Sequence, residues 1–419
     1  MSTLLIDGGH RLSGTIEVEG NKNAALPLLA SCLLTDQECV LHNVPRIRDV
    51  EVMTRLLTDL GAEVEGTGTT TLRVRCRQVV KDEPDPTLVG RLRGSVLLLG
   101  PLLARRGRAR LASPGGDFPT RRTVATHIEA LRALGAVPAE GRDHALDAPD
   151  GLAGASFYLD EASVTGTETA LLAAAAARGR SEIRHAACEP HVVELCQFLS
   201  KMGAGITGGG SSTIQVEGIA HLHGAEQRLD GDYIEAGSWA VVGAVTGGEI
   251  CVRGARPDHM EVVGSVLKRM NVRCTIDGCT FTVYPSTPMA TRRLTTGLWP
   301  GFPSDLISLV TVLATQAEGR TLLHDWMYEL RLFALEQLSG MSADLFLCDP
   351  HRIIVSGPTR LRGKKLDTRD LRSGMALAAA ALTATGQSVL GPLETVERGY
   401  ANLVKNLKSL GAQVERVEG

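Results

Sequence analysis

The sequence predicts a two-domain α/β protein built from six repeats of about 70 residues, with buried parallel helices surrounded by sheets. Two markers and the chain length support this. A Leu-Gly-Ala tag or a relative closes each repeat, at Leu60-Gly61-Ala62, Leu134-Gly135-Ala136, Met202-Gly203-Ala204, Met270-Asn271-Val272, Met341-Ser342-Ala343 and Leu410-Gly411-Ala412. Their central positions lie 74, 68, 68, 71 and 69 residues apart. A glycine opens the strand before each later tag, at Gly107, Gly179, Gly247, Gly319 and Gly386, with Thr35-Asp36 in its place in the first repeat. Two markers keeping one period indicate a repeat, and so long a period indicates a small sheet-and-helix module rather than a solenoid turn. The 419 residues exceed what one core usually organises.

Within each repeat a helix of small apolar residues is entered through a polar side chain. These helices start near Lys22-Asn23 (then AALPLLASCLL), Arg93-Gly94-Ser95 (VLLLGPLLA), Thr167-Glu168 (TALLAAAAA), Glu235-Ala236-Gly237 (SWAVVGAV), Asp305 (LISLVTVLA) and Arg372-Ser373 (GMALAAAAL). Apolar on all sides, each is expected to be enclosed by protein. An amphipathic helix closes the repeat, as in His191 to Leu199 running on to Met202, and is expected to cover the outside. Three repeats fill each domain: 22–229 forms the first, and 1–21 with 230–419 forms the second, the N-terminal strand completing the second domain's sheet. Parallel helices would gather their N-termini at one end, where free N–H groups and helix dipoles favour anions. The cleft between the domains is the expected site, and such a pair can hinge.

Net charge is −3, hydrophobic content 43% and aromatic content 4%, with no apolar run of the ~18–20 residues a membrane span needs. The N-terminus lacks the basic and long apolar regions of a signal peptide. Of the nine cysteines, an odd total with no CxxC pair, most read as small core residues in a reducing compartment, without a disulfide framework or a zinc site. A cytoplasmic protein that engages neither nucleic acid nor membrane is expected.

Several polar residues stand where chemistry can occur, each with a plainer alternative. Lys22 and Asn23 open the first buried helix, where a lysine can hold phosphate and an asparagine can donate to a hydroxyl; alternatively they are a cap and a solvated cation. Ser113-Pro114-Gly115-Gly116-Asp117 through Arg122 carries an acid and two arginines on a turn-rich loop that can equally be plain surface, and His127 beyond it reads as packed or surface. Asp305 is either a helix cap, with Ser304 its rival, or a base. Lys22, Arg93, Arg122, Arg331, Arg372 and Arg398 together form a cationic set suited to a small polyanion, although singly each arginine reads as solvated or salt-bridged.

Six motifs resemble those of the enolpyruvyl transferases, a likeness spanning essentially the whole chain: Gly20-Asn21-Lys22-Asn23-Ala24-Ala25-Leu26-Pro27, Pro114-Gly115-Gly116, Ser163-Val164-Thr165-Gly166-Thr167-Glu168, Glu189-Pro190-His191-Val192-Val193, Gly301-Phe302-Pro303-Ser304-Asp305 and Glu397-Arg398-Gly399-Tyr400. They fit the branch acting on UDP-N-acetylglucosamine better than that of aromatic amino-acid synthesis, whose glycine-serine-lysine-serine opening does not stand at Gly20 to Asn23. The resemblance implies a two-domain inside-out α/β barrel. It also implies transfer of the enolpyruvyl group of phosphoenolpyruvate to the 3-hydroxyl of UDP-N-acetylglucosamine with release of phosphate, the first committed step of peptidoglycan synthesis, with no cofactor or metal. Lys22, Arg122 and Arg398 would bind the phosphate and Arg331 and Arg372 the carboxylate. Asp305 would be the base, Asp117 the proton donor, and Asn23, Arg93, Arg122, Ser163, Val164, Thr165, Asp305 and Met327 would meet the acceptor. A monomer or weak homo-oligomer is expected.

The chain departs from the family pattern at several places. Asp117 replaces the usual loop cysteine, which implies insensitivity to the epoxide fosfomycin; Arg122-Thr123-Val124-Ala125 replaces an arginine-proline pair followed by an aspartate; Glu161 stands where a lysine is frequent; and Leu306-Ile307-Ser308 lacks the customary glutamine. The phosphoenolpyruvate side matches, while the nucleotide side does not decide between UDP-N-acetylglucosamine and another uridine nucleotide or nucleoside. Retention of Lys22, Asp305, Arg372 and Arg398 argues against a third reading, a catalytically idle ligand-binding paralogue.

Overall fold

The central residue of every tag has a positive φ: 104° at Gly61, 99° at Gly135, 110° at Gly203, 58° at Asn271, 77° at Ser342 and 91° at Gly411. A left-handed residue there ends the outer helix and turns the chain into the next strand, which is why glycine dominates the position and Asn can replace it. The second marker has the same cause, since Gly107 and Gly247 cap buried helices in the left-handed region. A computed structural model describes residues 2–115, 123–139, 144–329 and 331–418 of this chain. It is a mixed α/β fold with five four-stranded sheets and one three-stranded sheet among the described residues.

Six helices carry the inner positions: α1 (Lys22–Ser31), α2 (Leu99–Arg106), α3 (Val164–Ala175), α4 (Tyr233–Thr246), α5 (Ile307–Gln316) and α6 (Leu371–Thr383). Every residue of α4 is buried, as are Ile307 to Thr315 of α5 and Leu371 to Leu382 of α6. These three touch one another pairwise. The start expected at Arg93 for the second inner helix is a 3-10 turn, Arg93–Leu98, that runs into α2. The outer helices present one apolar face, as in Pro190–Lys201, where Val192, Leu195, Phe198 and Leu199 are buried. Each such side chain contributes roughly 1.5–3 kcal/mol. In the fifth and sixth repeats the expected outer helix is broken into the 3-10 turn Arg331–Glu336 with Gln337–Gly340, and into Leu393–Val396 with Leu403–Ser409.

The chain divides into two compact units, one with the described residues up to Glu19 and from Asp230 onward, the other with those from Gly20 to Leu229. In the third, fifth and sixth repeats the strand before the inner helix pairs in parallel with the strand after it, such as Arg293–Thr295 with Gly319–His324 around α5. The first and fourth repeats exchange these leading strands. Ser13–Glu17 leads into α1 but pairs with Glu249–Arg253 after α4, while Glu226–Arg228 leads into α4 but pairs with Glu38–His42 after α1. Thr3–Asp7 lies antiparallel between Gln387–Gly391 and Gln413–Val417. No helix among the described residues is long and apolar enough to cross a membrane.

The tag geometry predicts the cost of a side chain there. Gly411→Ala has no heavy atom within 4 Å of the new Cβ and is expected to lower stability by about 1–2 kcal/mol through its φ alone. Gly203→Ala should lower the urea midpoint further, because its Cβ would lie 2.8 Å from Ile219 Cδ1. Equal midpoints for the two variants would contradict this account.

Candidate active site

A buried helix exposes its first N–H groups to an interior without water, so its opening residues are normally committed to capping. Asn21 caps α1, Ser163 caps α3, Asp232 caps α4 and Asp370 caps α6. At α5 the capping expectation for Asp305 or Ser304 is overturned. The chain enters through the 3-10 turn Ser304–Leu306, with Pro303 at the cap position of that turn and Leu306 at that of α5, and neither is capped by a side chain. Asp305 is thereby released to two guanidiniums: Arg331 Nη1 donates to Oδ1 at 2.9 Å and Arg372 Nη2 to Oδ2 at 2.9 Å. The solvated alternative for these arginines fails, since their side chains are 10% and 9% exposed against 24% for Asp305.

Around this bridge the polar groups are closely accounted for. Arg331 Nη1 also donates to Ser304 Oγ at 2.9 Å, its guanidinium lies 4.4 Å from the Tyr328 ring centroid, and its Nε is 4.0 Å from Asp325 Oδ2. Asp325 is fully buried and accepts from Thr296 Oγ1 at 2.9 Å, Ser304 Oγ at 2.6 Å and the Met327 N–H at 3.3 Å. Arg372 Nη1 donates to the Tyr400 oxygen at 3.4 Å. Because the Ser238 hydroxyl hydrogen is used on Ile234 O at 2.7 Å, Tyr400 is the donor in its 2.8 Å bond to Ser238, giving a directed chain from Arg372 into α4. Burial, the largest single influence, opposes the charge of both arginines, but Asp305 together with Asp325, Tyr328 and Asp370 at Arg331, and with Tyr400 and Asp232 at Arg372, outweighs it, and their pKa values stand above the ordinary value. Arg398 sits half-buried on the turn after Leu393–Val396, two residues before Tyr400.

On α4, Glu235 accepts from Trp239 Nε1 at 3.1 Å, and burial, reinforced by Asp232, pushes its pKa up to about 8. Arg372 acts in the opposite direction, lowering it, and is the weakest of these influences.

The other unit places the remaining expected residues. Lys22 is not solvated: its Nζ lies 2.7 Å from Oδ2 of Asp49, itself buried in the first turn of Arg48–Asp59. Asn21, whose Oδ1 accepts from the Asn23 N–H at 2.8 Å, is the cap, so Asn23 is left half-buried beside it. Arg93 Nη2 donates to Thr123 O at 2.7 Å. Ser163, Val164 and Thr165 form the half-buried head of α3, where Thr165 Oγ1 lies 3.2 Å from His127 Nε2 and Thr169 Oγ1 lies 2.9 Å from His127 Nδ1. His127 is packed, and burial, with Arg93 nearby, lowers its pKa to about 3. Deeper in α3, Glu168 is raised well above the ordinary range by burial and by Glu189. Ala125 is exposed, as are Thr123 and Glu161. Asp117 and Arg122 lie outside the described residues. Cys279 and Cys348 are exposed rather than core, and no described group of three His, Cys, Asp or Glu side chains is placed to hold a metal ion.

Sequence reasoning missed Asp49 and Asp325, which hold Lys22 and Arg331. Asp49 has the signal of any acid in a first helical turn; Asp325 follows a strand and has none.

The sequence profile of EPSP synthase (3-phosphoshikimate 1-carboxyvinyltransferase) matches residues 6–407, and the chain belongs to this family of enolpyruvyl (carboxyvinyl) transferases. Within it, the chain is 40% identical over 426 aligned residues to the UDP-N-acetylglucosamine 1-carboxyvinyltransferase of Treponema denticola, covering 100% of both chains. It is 42% identical to that of Bradyrhizobium diazoefficiens, covering 99% of this chain and 97% of the relative. Among solved structures it resembles the enolpyruvyl transferase NikO from Streptomyces tendae, with a TM-score of 0.89 at 24% identity and coverage of 100% and 99%. It also resembles EPSP synthase from Acinetobacter baumannii, with a TM-score of 0.76 at 18% identity and full coverage of both chains. At these identities the structural likenesses speak for the fold alone.

The buried acid gives a pH prediction. With a folded pKa of about 8, above the ordinary carboxyl value, Glu235 binds a proton in the folded state that the unfolded chain has lost. Its contribution is thus fully present below the unfolded pKa and lost as pH rises through about 8. Glu235→Gln, which keeps an acceptor for Trp239, should gain stability relative to the parent between pH 5 and 9, read by urea midpoints. A parallel pair of pH profiles would contradict it.

Proposed function

We propose that the protein transfers the enolpyruvyl group of phosphoenolpyruvate to the 3-hydroxyl of UDP-N-acetylglucosamine, with release of phosphate, as the first committed step of peptidoglycan synthesis in the cytoplasm. The observation that carries this reading is the Asp305 carboxylate set between Arg331 and Arg372 at the opening of α5. Full-length identity to proteins named for that reaction supports the acceptor.

In the proposed mechanism, C3 of the donor takes a proton and C2 becomes an oxocarbenium-like centre. The acceptor hydroxyl attacks C2 as Asp305 removes its proton, giving a tetrahedral ketal; loss of a C3 proton and of phosphate restores the double bond. Arg331 and Arg372 take the donor's carboxylate, Lys22, Arg122 and Arg398 its phosphate, so that fixed cations face the charge that develops. Asp117 is the proposed proton donor, and Asn23 meets the acceptor hydroxyl. Arg93, Arg122, Ser163, Val164, Thr165 and Met327 complete the acceptor's contacts. Acid-base and electrostatic chemistry of this kind needs no cofactor. The units are proposed to close on the substrates as three-repeat inside-out barrels, and the protein to work as a monomer or weak homo-oligomer.

A second reading keeps the chemistry and changes the acceptor to another uridine nucleotide or nucleoside. The exposed carboxylates of Asp160 and Glu161 favour its nucleoside form, since they stand just ahead of Ser163 at the head of α3 and disfavour a phosphate there. Phosphate release from phosphoenolpyruvate with a panel of uridine nucleotides and nucleosides separates the two readings: release with UDP-N-acetylglucosamine supports the first, and release with another acceptor alone supports the second.

Two substitutions test the roles. Asp305→Ala should abolish turnover. Because it also leaves Arg331 and Arg372 without their shared carboxylate, stability should fall by about 3–5 kcal/mol, so turnover is read where circular dichroism shows the protein folded, and near-parental turnover would remove Asp305 from the mechanism. The parent should resist time-dependent inactivation by fosfomycin, because a carboxylate attacks an epoxide far more slowly than a thiolate. Asp117→Cys should keep activity and gain sensitivity, and stoichiometric inactivation of the parent would overturn the assignment of Asp117.

A further inference from the structure

The grip on Asp305 is the grip a carboxylate substrate would receive, with two guanidiniums from separate elements each donating one 2.9 Å bond to a different oxygen. A carboxylate so engaged is a poor base, because charge-assisted hydrogen bonds to its ionised form favour that form. We propose that Asp305 and the donor's carboxylate compete for this one seat, that donor binding evicts Asp305 and so frees the base, and that Asp325 is the positioning residue holding Arg331 in place during the exchange. This rests on the reading in which Arg331 and Arg372 receive the carboxylate of phosphoenolpyruvate.

The surroundings identify which member moves. Asp305 is the most exposed of the four charges, 24% against 10% and 9% for the arginines and 0% for Asp325. It stands on a short 3-10 turn and has no capping duty. The arginines have other anchors. Arg372 keeps its bond to Tyr400 and the chain through Ser238, and Arg331 keeps the Tyr328 ring, Ser304 Oγ and the nearby Asp325. Asp325 is itself pinned by Thr296, Ser304 and the Met327 N–H, so it cannot follow Asp305 outward. The surrounding charge favours exchange over addition: besides Asp305, Arg331 already faces Asp325 and Asp370 and Arg372 faces Asp232, so one carboxylate replacing another leaves the local balance unchanged, whereas an added one would increase the buried negative charge.

The test is equilibrium binding of phosphoenolpyruvate and of inorganic phosphate to Asp305→Asn by calorimetry, beside its turnover. Removing a charged competitor should tighten phosphoenolpyruvate binding by about tenfold or more and leave inorganic phosphate nearly unchanged. Tighter donor binding with turnover lost supports both the exchange and the base. Tighter donor binding with turnover retained supports the exchange and overturns Asp305 as base; unchanged or weaker donor binding overturns the exchange whatever the turnover. For Asp325→Asn the donor KM should rise about tenfold with a smaller change in kcat, the split expected for a lost substrate-positioning contact. A fall in kcat alone overturns the positioning role. If that variant does not fold, Ser304→Ala, which removes one bond to Asp325 and one to Arg331, should raise the donor KM in the same direction, and an unchanged KM is the overturning result.

Discussion

Everything in this protein depends on how six helices, surrounded by protein, satisfy the N–H groups at their heads. Buried without partners, such groups cost far more than a cap contributes. Four helices take a local side chain, Asn21, Ser163, Asp232 or Asp370. The second and fifth inner helices begin instead with 3-10 turns that carry no side-chain cap. At the fifth helix the uncapped turn leaves the Asp305 carboxylate to two arginines. At the first and sixth helices a separate cap, Asn21 or Asp370, leaves Lys22 and Arg372 to pair elsewhere.

Availability alone does not set charge. In the same unit, Asp305 faces two guanidiniums, while Glu235 has a Trp239 N–H and a buried setting that pushes its pKa up to about 8. Breaking a buried ionic contact by removing one partner costs about 3–5 kcal/mol, against about 1 kcal/mol for a lost cap. The arginine–aspartate cluster is thus the more rigid part of the helix heads, and its one exposed member is the part able to move.

What the sequence revealed follows from which interactions are local. The tags were legible because a positive φ after a helix selects glycine or asparagine within a few residues, and even Asn271 and Ser342 keep that geometry. The inner helices were legible because enclosure removes the polar face. The local reading of Lys22 as solvated failed because its partner, Asp49, lies on another helix. Reading Asp305 as a cap failed because Pro303 and a 3-10 turn displaced it, which the string Phe302-Pro303-Ser304-Asp305 does not disclose. Asp325 was invisible for a related reason: nothing within its own strand and turn indicates that a fully buried acid will find Thr296 and Ser304. Repeat position grouped Arg331, Arg372 and Arg398 in one cationic set, and the family resemblance alone supplied their separate roles.

The repeat also breaks around the Asp305 cluster. The outer helices of the first, third and fourth repeats run 12, 12 and 13 residues, each covering the core with one apolar face. In the fifth and sixth repeats that helix is interrupted, by the turn that carries Arg331 and by the Glu397-to-Asn402 segment that carries Arg398 and Tyr400, with Asn402 at a φ of 53°. A continuous amphipathic helix directs its apolar stripe inward and its charges outward, so it cannot also bring an arginine or a tyrosine hydroxyl to the head of a neighbouring buried helix. Interrupting it lets Arg331 close on Asp305 and seats Tyr400, fully buried, against Arg372. Where the outer helix is interrupted, ion pairs and the Tyr400–Ser238 bond stand at the heads of the inner helices in place of a continuous apolar face.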